Sequence, residues 1–302
     1  MISSRARLFL ALGALALAAV PASGDRFWMQ FLGKAMIGGI FAMSLDLLVG
    51  FAGLVSLAHA AFFGLGAYLL AGLSNRYQLA QMALTLPICM AGAAAGALII
   101  GWLSLRAAGV YFIMVTLAFT QMLYYFLNDA PWFGGSDGLY VALRPLSNPI
   151  AAYYAIWIAL VAVFAFLLLL LRSPFGRVLI GIRGNEQRMR SLGFPTRQYL
   201  LAAFVLAGSL AGLAGYLDAN LYGFVNPALF GWRESGLVLM TVLLGGKGTL
   251  HGPALGALLL ALLQQQGERL TEHWTAIIGA VVIAVVLFLP RGVAGLLEAR
   301  RA

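Results

Sequence analysis

Long apolar runs are the feature that most constrains how this chain can fold. A helix that crosses a hydrocarbon layer of about 30 Å needs roughly 20 mainly apolar residues, and runs that approach or exceed this length recur along nearly the whole sequence. We predict membrane segments at residues 8–22, 31–55, 57–73, 82–105, 110–128, 150–171, 199–217, 235–263 and 274–289. No long polar stretch separates them, so residues 1–302 are expected to form a single transmembrane domain.

The composition also indicates an integral membrane protein. Apolar residues make up 62% and charged residues 10% of the 302 residues, whereas about a quarter of an average soluble domain is charged. The net charge of +9 comes from Lys and Arg that lie between the apolar runs, so it indicates membrane orientation, and no nucleic-acid partner is expected. Cys89 is the only cysteine, which excludes an intrachain disulfide, and no metal site is expected.

Residues 172–197 form a basic loop that orients the chain. They contain six of the 19 Lys and Arg residues, all of them arginines. Because short cytoplasmic loops collect Lys and Arg, we place this loop inside the cell. Counting the segments back from it places Arg106, Arg5 and Arg7 inside, and places the loop that contains Asp129 and Asp137 outside.

The run at 235–263 is interrupted by the sequence GGKGTLHGP at residues 245–253. As one helix, this run would leave the arginines at 291, 300 and 301 outside, whereas two short passes or a re-entrant pair return them to the inside. Broken membrane helices are tolerated where their loose backbone is buried in protein or lines a cavity. We therefore predict an all-α bundle of about ten transmembrane segments with both ends cytoplasmic. The residues that break the helix are Gly245, Gly246 and Gly248.

The N-terminus has a second interpretation. Arg5 and Arg7, a short apolar run and the sequence Val20-Pro21-Ala22 also resemble a secretory signal with a small-residue cleavage site. The topology beyond Asp25 is the same in both cases, because a cleaved chain would start outside.

Small residues predict close packing between helices. Ala203, Ala207, Ala211 and Gly215 recur every four residues, and rows of this kind let membrane helices approach closely. Gly64 and Gly66 lie inside another apolar run, where we expect bends.

Polar side chains within lipid are costly, so each one inside a segment is a functional candidate. Asp46 is the only acidic residue at mid-segment, and it either faces a translocation path or is held by a neighbouring helix. The hydroxyls of Thr116 and Thr120 either line the path or bond to their own helix, and His59 is either a hydrogen-bond donor or a packed histidine. The candidate path consists of Asp46, Ser56, His59, Phe62, Phe63, Thr116, Thr120 and Tyr124.

Enzyme motifs are absent from the sequence. It contains no HExxH, no GxSxG in a strand–turn–helix setting, and no cluster of metal-ligating residues. The sequence GGKGT is not a phosphate-binding loop, because Lys247 is followed by Gly248 where that loop needs Ser or Thr. We therefore expect no catalytic residues, no enzyme activity, and no cofactor or ATP bound by this chain.

Two classes of transporter fit less well or remain open. A secondary transporter usually needs several intramembrane ionisable groups, and Asp46 stands nearly alone. A stand-alone facilitator remains an alternative, but it gives no reason for the basic loop. Phe175, Val178, Leu179 and Ile180 predict a short amphipathic helix in that loop, lying across the inner face as a docking element for a soluble partner.

Several motifs resemble one family of membrane proteins. The loop sequence IRGNEQRMRSLGF (182–194) resembles the coupling loop of ATP-binding cassette importer permeases. GLVSLAHAAFFGLGAY (53–68), GVYFIMVTLAF (109–119), FGGSDGL (133–139), LLGGKGTLHGPALGA (243–257) and LPRGVAGLL (289–297) add to the resemblance. Together, over about residues 37–297, they resemble the permease subunit of the high-affinity branched-chain amino acid importers, the type with the SDGL loop.

The resemblance implies a set of partners. Two related permeases, this chain and a sister subunit, form a heterodimeric pore in the bacterial inner membrane among its lipids. Two ATP-binding cassette subunits bind ATP beneath the pore, and a periplasmic binding protein delivers leucine, isoleucine or valine. Residues 172–197 become the cytoplasmic coupling loop. The residues expected to couple it to the ATPase are Phe175, Gly176, Arg177, Arg183, Glu186 and Gly193.

The chain departs from the family pattern at two places. Arg188 and Met189 stand where the coupling loop usually has alanines, and Leu54 and Val55 replace a common Gly-Gln pair before Ser56. Relatives of the family import urea, short-chain amides or other amino acids, so these substrates are the alternatives to branched-chain amino acids.

Overall fold

The computed structural model describes residue 13 and residues 17–270, 273–289 and 292–298. The first predicted segment, residues 8–22, lies partly outside this set. The predicted orientation also depends on residues outside this set, namely the arginines at positions 5, 7, 291, 300 and 301.

Helices form most of the described chain. In order they are α1 Arg26–Asp46, α2 His59–Tyr77, α3 Met82–Ser104, α4 Val110–Asn128, α5 Pro149–Arg172, α6 Pro174–Gly184, α7 Glu186–Ser191, α8 Thr196–Tyr222, α9 Trp232–Gly245, α10 His251–Leu270, α11 Trp274–Phe288 and α12 Gly292–Glu298. A π-helical turn, Leu47–Ala52, extends α1. Two short strands, β1 Leu139–Tyr140 and β2 Phe224–Val225, pair antiparallel with Leu139 opposite Val225.

Six helical stretches among the described residues are long and apolar enough to cross a membrane. They are Arg26–Ala52, Met82–Ser104, Val110–Asn128, Pro149–Arg172, Thr196–Tyr222 and Trp274–Gly295. An all-α membrane protein is therefore confirmed. The predicted number of about ten segments is not confirmed by this count, because α9 has only 14 residues and α2 and α10 carry polar residues at their ends.

The bundle has an inner and an outer layer of helices. The stretch from Arg26 to Ala52 and helix α8 are mainly buried, whereas α3, α4, α5 and α11 expose most of their apolar surface. Exposed apolar surface is what a lipid environment or another membrane subunit accommodates. The inner helices therefore form the core, and the outer ones present the exposed apolar surface.

Small residues bring α2 and α8 into very close contact, as the spacing predicts. A Cβ built on Gly66 would lie 2.0 Å from the carbonyl oxygen of Gly212, and one on Gly215 would lie 1.8 Å from that of Phe63. Gly64 and Gly66, which the sequence suggests interrupt a segment, both lie inside the continuous helix α2. Gly66 and Gly215 permit the close approach of the two backbones, and Gly64 makes room for the Phe230 ring.

Two short non-helical segments lie close to each other within the bundle. After the π-helical turn, residues 53–58 are not helical, and Gly53 begins this segment with a φ of 77°. The second interruption lies between α9 and α10 at residues 246–250, where the sequence predicts it. Both interruptions lie near the same end of the bundle, because the Gly248 N–H donates to Asp46 Oδ1 at 2.7 Å.

The loops that the charge count places on the same side of the membrane also lie at the same end of the bundle. Arg197 Nη2 donates to the carbonyl oxygen of Trp102 at 3.2 Å, so the basic loop and the end of α3 near Arg106 lie at one end. At the other end, Ser74 Oγ donates to the carbonyl oxygen of Leu143 at 3.0 Å. That end contains the loop with Asp129 and Asp137 and the β1–β2 pair.

Candidate functional site

The basic loop folds into a pair of short helices, α6 and α7. Pro174 opens α6 and the Ser173 hydroxyl accepts from the Gly176 N–H, while Asn185 Oδ1 accepts from the Arg188 N–H at 2.8 Å to begin α7. Pro at the first helical position and Ser or Asn at the cap are strong helix-starting signals. The predicted amphipathic helix is therefore present, and it is joined to a second one.

One face of α6 packs onto the membrane core. Val178, Leu179 and Ile182 are buried, whereas Ile180, which the sequence groups with them, is exposed. Leu192 and Phe194, beyond α7, are also exposed. Exposed apolar side chains beside arginines suit a protein partner. The hydropathy pattern of this loop alone could not separate these outward residues from the buried ones.

Several predicted coupling residues hold the helix pair in place. The Phe175 ring stacks on Tyr199 of α8, with ring centroids 5.5 Å apart. A Cβ on Gly176 would lie 2.5 Å from the Leu170 carbonyl oxygen, so α6 approaches the end of α5 closely. Gly193 has a φ of 86° in open space and reverses the chain after α7. Arg177 is exposed.

Glu186 also makes contacts within the chain. Its Oε1 accepts from Arg190 Nη2 at 2.6 Å and from the Thr196 hydroxyl at 3.1 Å. The second bond ties the start of α7 to the start of α8. This carboxylate therefore fixes the orientation of α7, and the exposed residues around it are the ones available to a partner.

Asp46, Arg183 and Gly248 meet at one point, which we call the junction, together with Gly50. Asp46 Oδ1 accepts from the Gly248 N–H at 2.7 Å, and Arg183 donates to the Gly50 carbonyl oxygen. A Cβ on Gly50 would lie 2.1 Å from Asp46 Oδ1 and 2.5 Å from the Gly248 nitrogen. The junction thus joins α6, the end of α1 and the turn between α9 and α10.

The junction places Asp46 beside a charge of opposite sign without a direct ion pair. Asp46 is fully buried, and Arg190–Glu186 is the single ion pair recorded within the described residues. A buried carboxylate needs hydrogen bonds or a nearby positive charge to be tolerated. Gly248 provides the first and Arg183 the second, so Asp46 holds the turn through Oδ1, while its Oδ2 has no hydrogen-bond partner and Asp46 stays a path candidate.

The turn between α9 and α10 is built from the predicted glycines. Gly246 and Gly248 have φ values of 111° and 77°, a region that residues with a Cβ avoid. A Cβ on Gly245 would lie 2.1 Å from the Gly252 carbonyl oxygen, so α9 and α10 touch at the turn. The two helices therefore form a tight hairpin whose tip is held by Asp46.

The non-helical segment 53–58 has its backbone groups bonded by side chains from other helices. The Leu57 N–H donates to Thr116 Oγ1 at 3.1 Å, and the Leu57 carbonyl oxygen accepts from the hydroxyls of Thr120 at 2.9 Å and Ser235 at 2.7 Å. Thr116 and Thr120 also donate to carbonyl oxygens of α4. Both threonines are fully buried, so their hydroxyls support the broken backbone and their own helix.

His59 is a fully buried polar residue at the start of α2. Its Nε2 lies 2.9 Å from Ser44 Oγ, its ring stacks on Phe41, and its Nδ1 has no hydrogen-bond partner. A buried polar atom without a partner is costly unless a further group binds it. His59 therefore remains a candidate for contact with a transported molecule.

The other candidate path residues lie around these groups. Ser56 Oγ accepts from the Ala58 N–H at 3.1 Å. Phe62 packs edge-on against Phe204 of α8, and Phe63 packs on Phe41. Tyr124 is half-buried beside Tyr125. The structure thus brings Ser56, His59 and the two threonines to one broken segment, and it places Asp46 at the junction.

The fold and the site define a polytopic all-α membrane protein in which a basic helix pair outside the core is bonded to two broken membrane helices. Within the parts of the chain that are described, no group of three or more His, Cys, Asp or Glu is placed to hold a metal ion. The chain belongs to the family of branched-chain amino acid transport system permease components, whose profile matches residues 27–287.

Individual relatives match between about two thirds and nearly all of the chain. The high-affinity branched-chain amino acid transport system permease protein LivM of Escherichia coli is 29% identical over 95% of this chain and 74% of its own length. The protein of the same name from Salmonella typhimurium is 28% identical over the same shares. The autoinducer 2 import system permease protein LsrC of Photorhabdus laumondii is 31% identical over 68% of this chain and 63% of its own length. No solved structure matches the chain significantly.

Proposed function

We propose that this chain is one of two permease subunits of an ATP-binding cassette importer for leucine, isoleucine and valine in the bacterial inner membrane. A sister permease completes the translocation path, two ATPase subunits bind ATP at the cytoplasmic face, and a periplasmic binding protein delivers the amino acid. Family membership and the LivM relatives support this function. The chain itself binds no cofactor and catalyses no reaction in this proposal.

The observation that carries the proposal is the junction. Arg183 lies on α6 and donates to Gly50 in the π-helical turn just before segment 53–58, whereas Gly248 lies in the α9–α10 turn and donates to Asp46. A displacement of α6 by an ATPase subunit is therefore transmitted directly to the turn that precedes segment 53–58, and through Asp46 to the α9–α10 turn. Broken helices that meet in this way are the elements that can open and close a membrane path.

The proposal also assigns one end of the bundle to the cytoplasm and the other to the outside. Segment 53–58 and the α9–α10 turn lie at the end of the bundle where α6 docks. We place that end in the cytoplasm, with about ten membrane segments and both chain ends inside, because the arginines of residues 172–197 collect there. The β1–β2 pair then faces the binding protein.

A reconstituted importer tests the function. Proteoliposomes that contain this chain, the sister permease, the ATPase subunits and ATP are expected to accumulate labelled leucine only when the binding protein is present outside. Glu186→Ala is expected to insert normally and to retain ATP hydrolysis while leucine uptake falls. Glu186→Gln, which keeps an acceptor for the Thr196 hydroxyl, serves as the matched control and is expected to retain uptake. Equal, normal uptake in Glu186→Ala and Gly193→Val would exclude the coupling role of the loop.

Two further experiments distinguish the alternative functions. Passive leucine flux through liposomes that contain this chain alone would identify a stand-alone facilitator. Binding of urea, short-chain amides or other amino acids to the binding protein, in preference to leucine, would keep the importer and change its substrate.

A further inference from the structure

A pocket of about 750 Å³ lies at the end of the bundle where α3 ends and α8 begins. Trp102, Phe194 and Leu201 provide apolar walls, and Arg190 and Arg197 provide positive charge. None of these residues belongs to the candidate path or to the junction. The pocket is therefore separate from those two sites, and it borders the coupling loop, because Arg190, Phe194 and Arg197 belong to residues 172–197.

Two arginines flank Trp102: Arg197 lines the pocket, and Arg106 lies beside it. The guanidinium of Arg106 lies over the Trp102 ring, 4.3 Å from its centroid, and Arg197 Nη2 donates to the Trp102 carbonyl oxygen at 3.2 Å. Arg190 is paired with Glu186. Neither Arg106 nor Arg197 forms an ion pair with any acid in the described chain, so two positive charges remain for a ligand.

The apolar side of the pocket continues onto the outer surface of α3. Ile99 is 62% exposed and Trp102 is 51% exposed, and α3 is one of the helices able to cross the membrane. The arginines therefore lie where an exposed apolar helix face ends. Lipid head groups lie at this depth, and Trp is enriched there.

We propose that this pocket binds an anionic phospholipid of the cytoplasmic leaflet. Arg106 and Arg197 contact its phosphate groups, and an acyl chain lies along Ile99 and Trp102. Basic pockets between membrane helices on the cytoplasmic side suit such head groups, whereas a soluble anion would leave the apolar wall bare. The inference requires the membrane orientation of the chain but not its transport activity.

Native mass spectrometry of the purified full-length chain tests the inference. The chain is released from nanodiscs of phosphatidylcholine and phosphatidylglycerol in equal amounts, and the retained lipids are counted. We expect selective retention of phosphatidylglycerol. Arg106→Gln and Arg197→Gln are each expected to reduce it about fivefold, the order expected for one arginine near an anionic surface. Arg188→Gln removes one positive charge, as each pocket variant does, from an exposed position of the same end outside the pocket and is expected to retain the lipid.

Three outcomes would overturn the inference. Equal retention of phosphatidylglycerol by the pocket variants and the control variant would show that general charge accounts for binding. Displacement of the lipid by millimolar inorganic phosphate would indicate a soluble-anion site. Loss of the lipid on addition of the ATPase subunits would show that this face belongs to that protein partner.

Discussion

Asp46 shows how one residue can connect distant parts of the chain. Its carboxylate accepts from a backbone N–H that lies 202 positions further along the sequence. A buried N–H that loses its acceptor costs about 1–3 kcal/mol. The acid is thus a structural support for the α9–α10 turn, whose position the transport proposal needs.

Asp46→Ala is expected to destabilise the chain by about 1–3 kcal/mol, because the Gly248 N–H is left without an acceptor. Asp46→Asn keeps an oxygen in the same place and is expected to lose less than half as much stability as Asp46→Ala. Urea unfolding of the purified chain in a mild detergent, followed by tryptophan fluorescence, measures both. Asp137→Asn, in the exposed loop between α4 and β1, is the control for the loss of a carboxylate. Equal stability of Asp46→Ala and the control would contradict the role of the hydrogen bond.

Thr116 and Thr120 provide a second comparison at the residue scale. The Leu57 N–H is bonded to Thr116, whereas the Leu57 carbonyl oxygen is shared by Thr120 and Ser235. Thr116→Val is therefore expected to cost about 1–3 kcal/mol, and Thr120→Val less than about 1 kcal/mol because Ser235 remains. Urea unfolding in detergent shows which of the two variants loses more stability. The reverse order would show that these hydroxyls serve another purpose.

The sequence predicts which residues are polar within the membrane but not their partners. Thr116 and Thr120 are recognisable as neighbours on one helical face, since their spacing is local. Their main partner, Leu57, is about sixty positions away and carries no distinctive side chain. Partners of this kind follow from the packing of whole helices and could not be read from spacing.

At the scale of helices, glycines have two different uses that composition does not separate. Gly246 and Gly248 form a turn, and the flanking Pro253 and polar residues make that break recognisable in the sequence. Gly66 lies in an unbroken helix and makes room for α8. The predicted segments 31–55 and 57–73 leave only residue 56 between them, whereas the structure has six non-helical residues, 53–58. Their apolar character hides the length of this break, and their backbone is bonded by hydroxyls from distant helices.

Gly66 and Gly72 allow a matched test on one helix. A Cβ on Gly66 would lie 2.0 Å from the Gly212 carbonyl oxygen, whereas one on Gly72 would have nothing within 4 Å. Gly66→Ala is therefore expected to cost about 1–3 kcal/mol through overpacking. Gly72→Ala is expected to be neutral or to stabilise by up to about 1 kcal/mol, because Ala favours helix. Thermal unfolding in detergent measures both, and equal melting temperatures would contradict the close contact of α2 and α8.

For the whole molecule, the main question is how many times the chain crosses the membrane. Six stretches satisfy length and apolarity together, and the proposed total of about ten also requires α2, α9, α10 and the first predicted segment. The path of α9 and α10 decides this number of crossings. If the chain passes the turn at 246–250 and returns, residue 268 lies on the side of the β1–β2 pair, whereas one continuous crossing would place it with α6 and α7.

Cysteine labelling distinguishes these two topologies. In a Cys89→Ala background, which removes the buried thiol, Glu268→Cys is expected to react with a membrane-impermeant maleimide added outside intact spheroplasts. Ser136→Cys, in the outer loop, is the positive control, and Gln187→Cys, on α7, is expected to react only after the membrane is opened. Protection of Glu268→Cys together with Gln187→Cys would mean that residues 235–263 cross once. The turn held by Asp46 would then lie inside a single bent helix, and the displacement of α6 could not be transmitted to a hairpin tip.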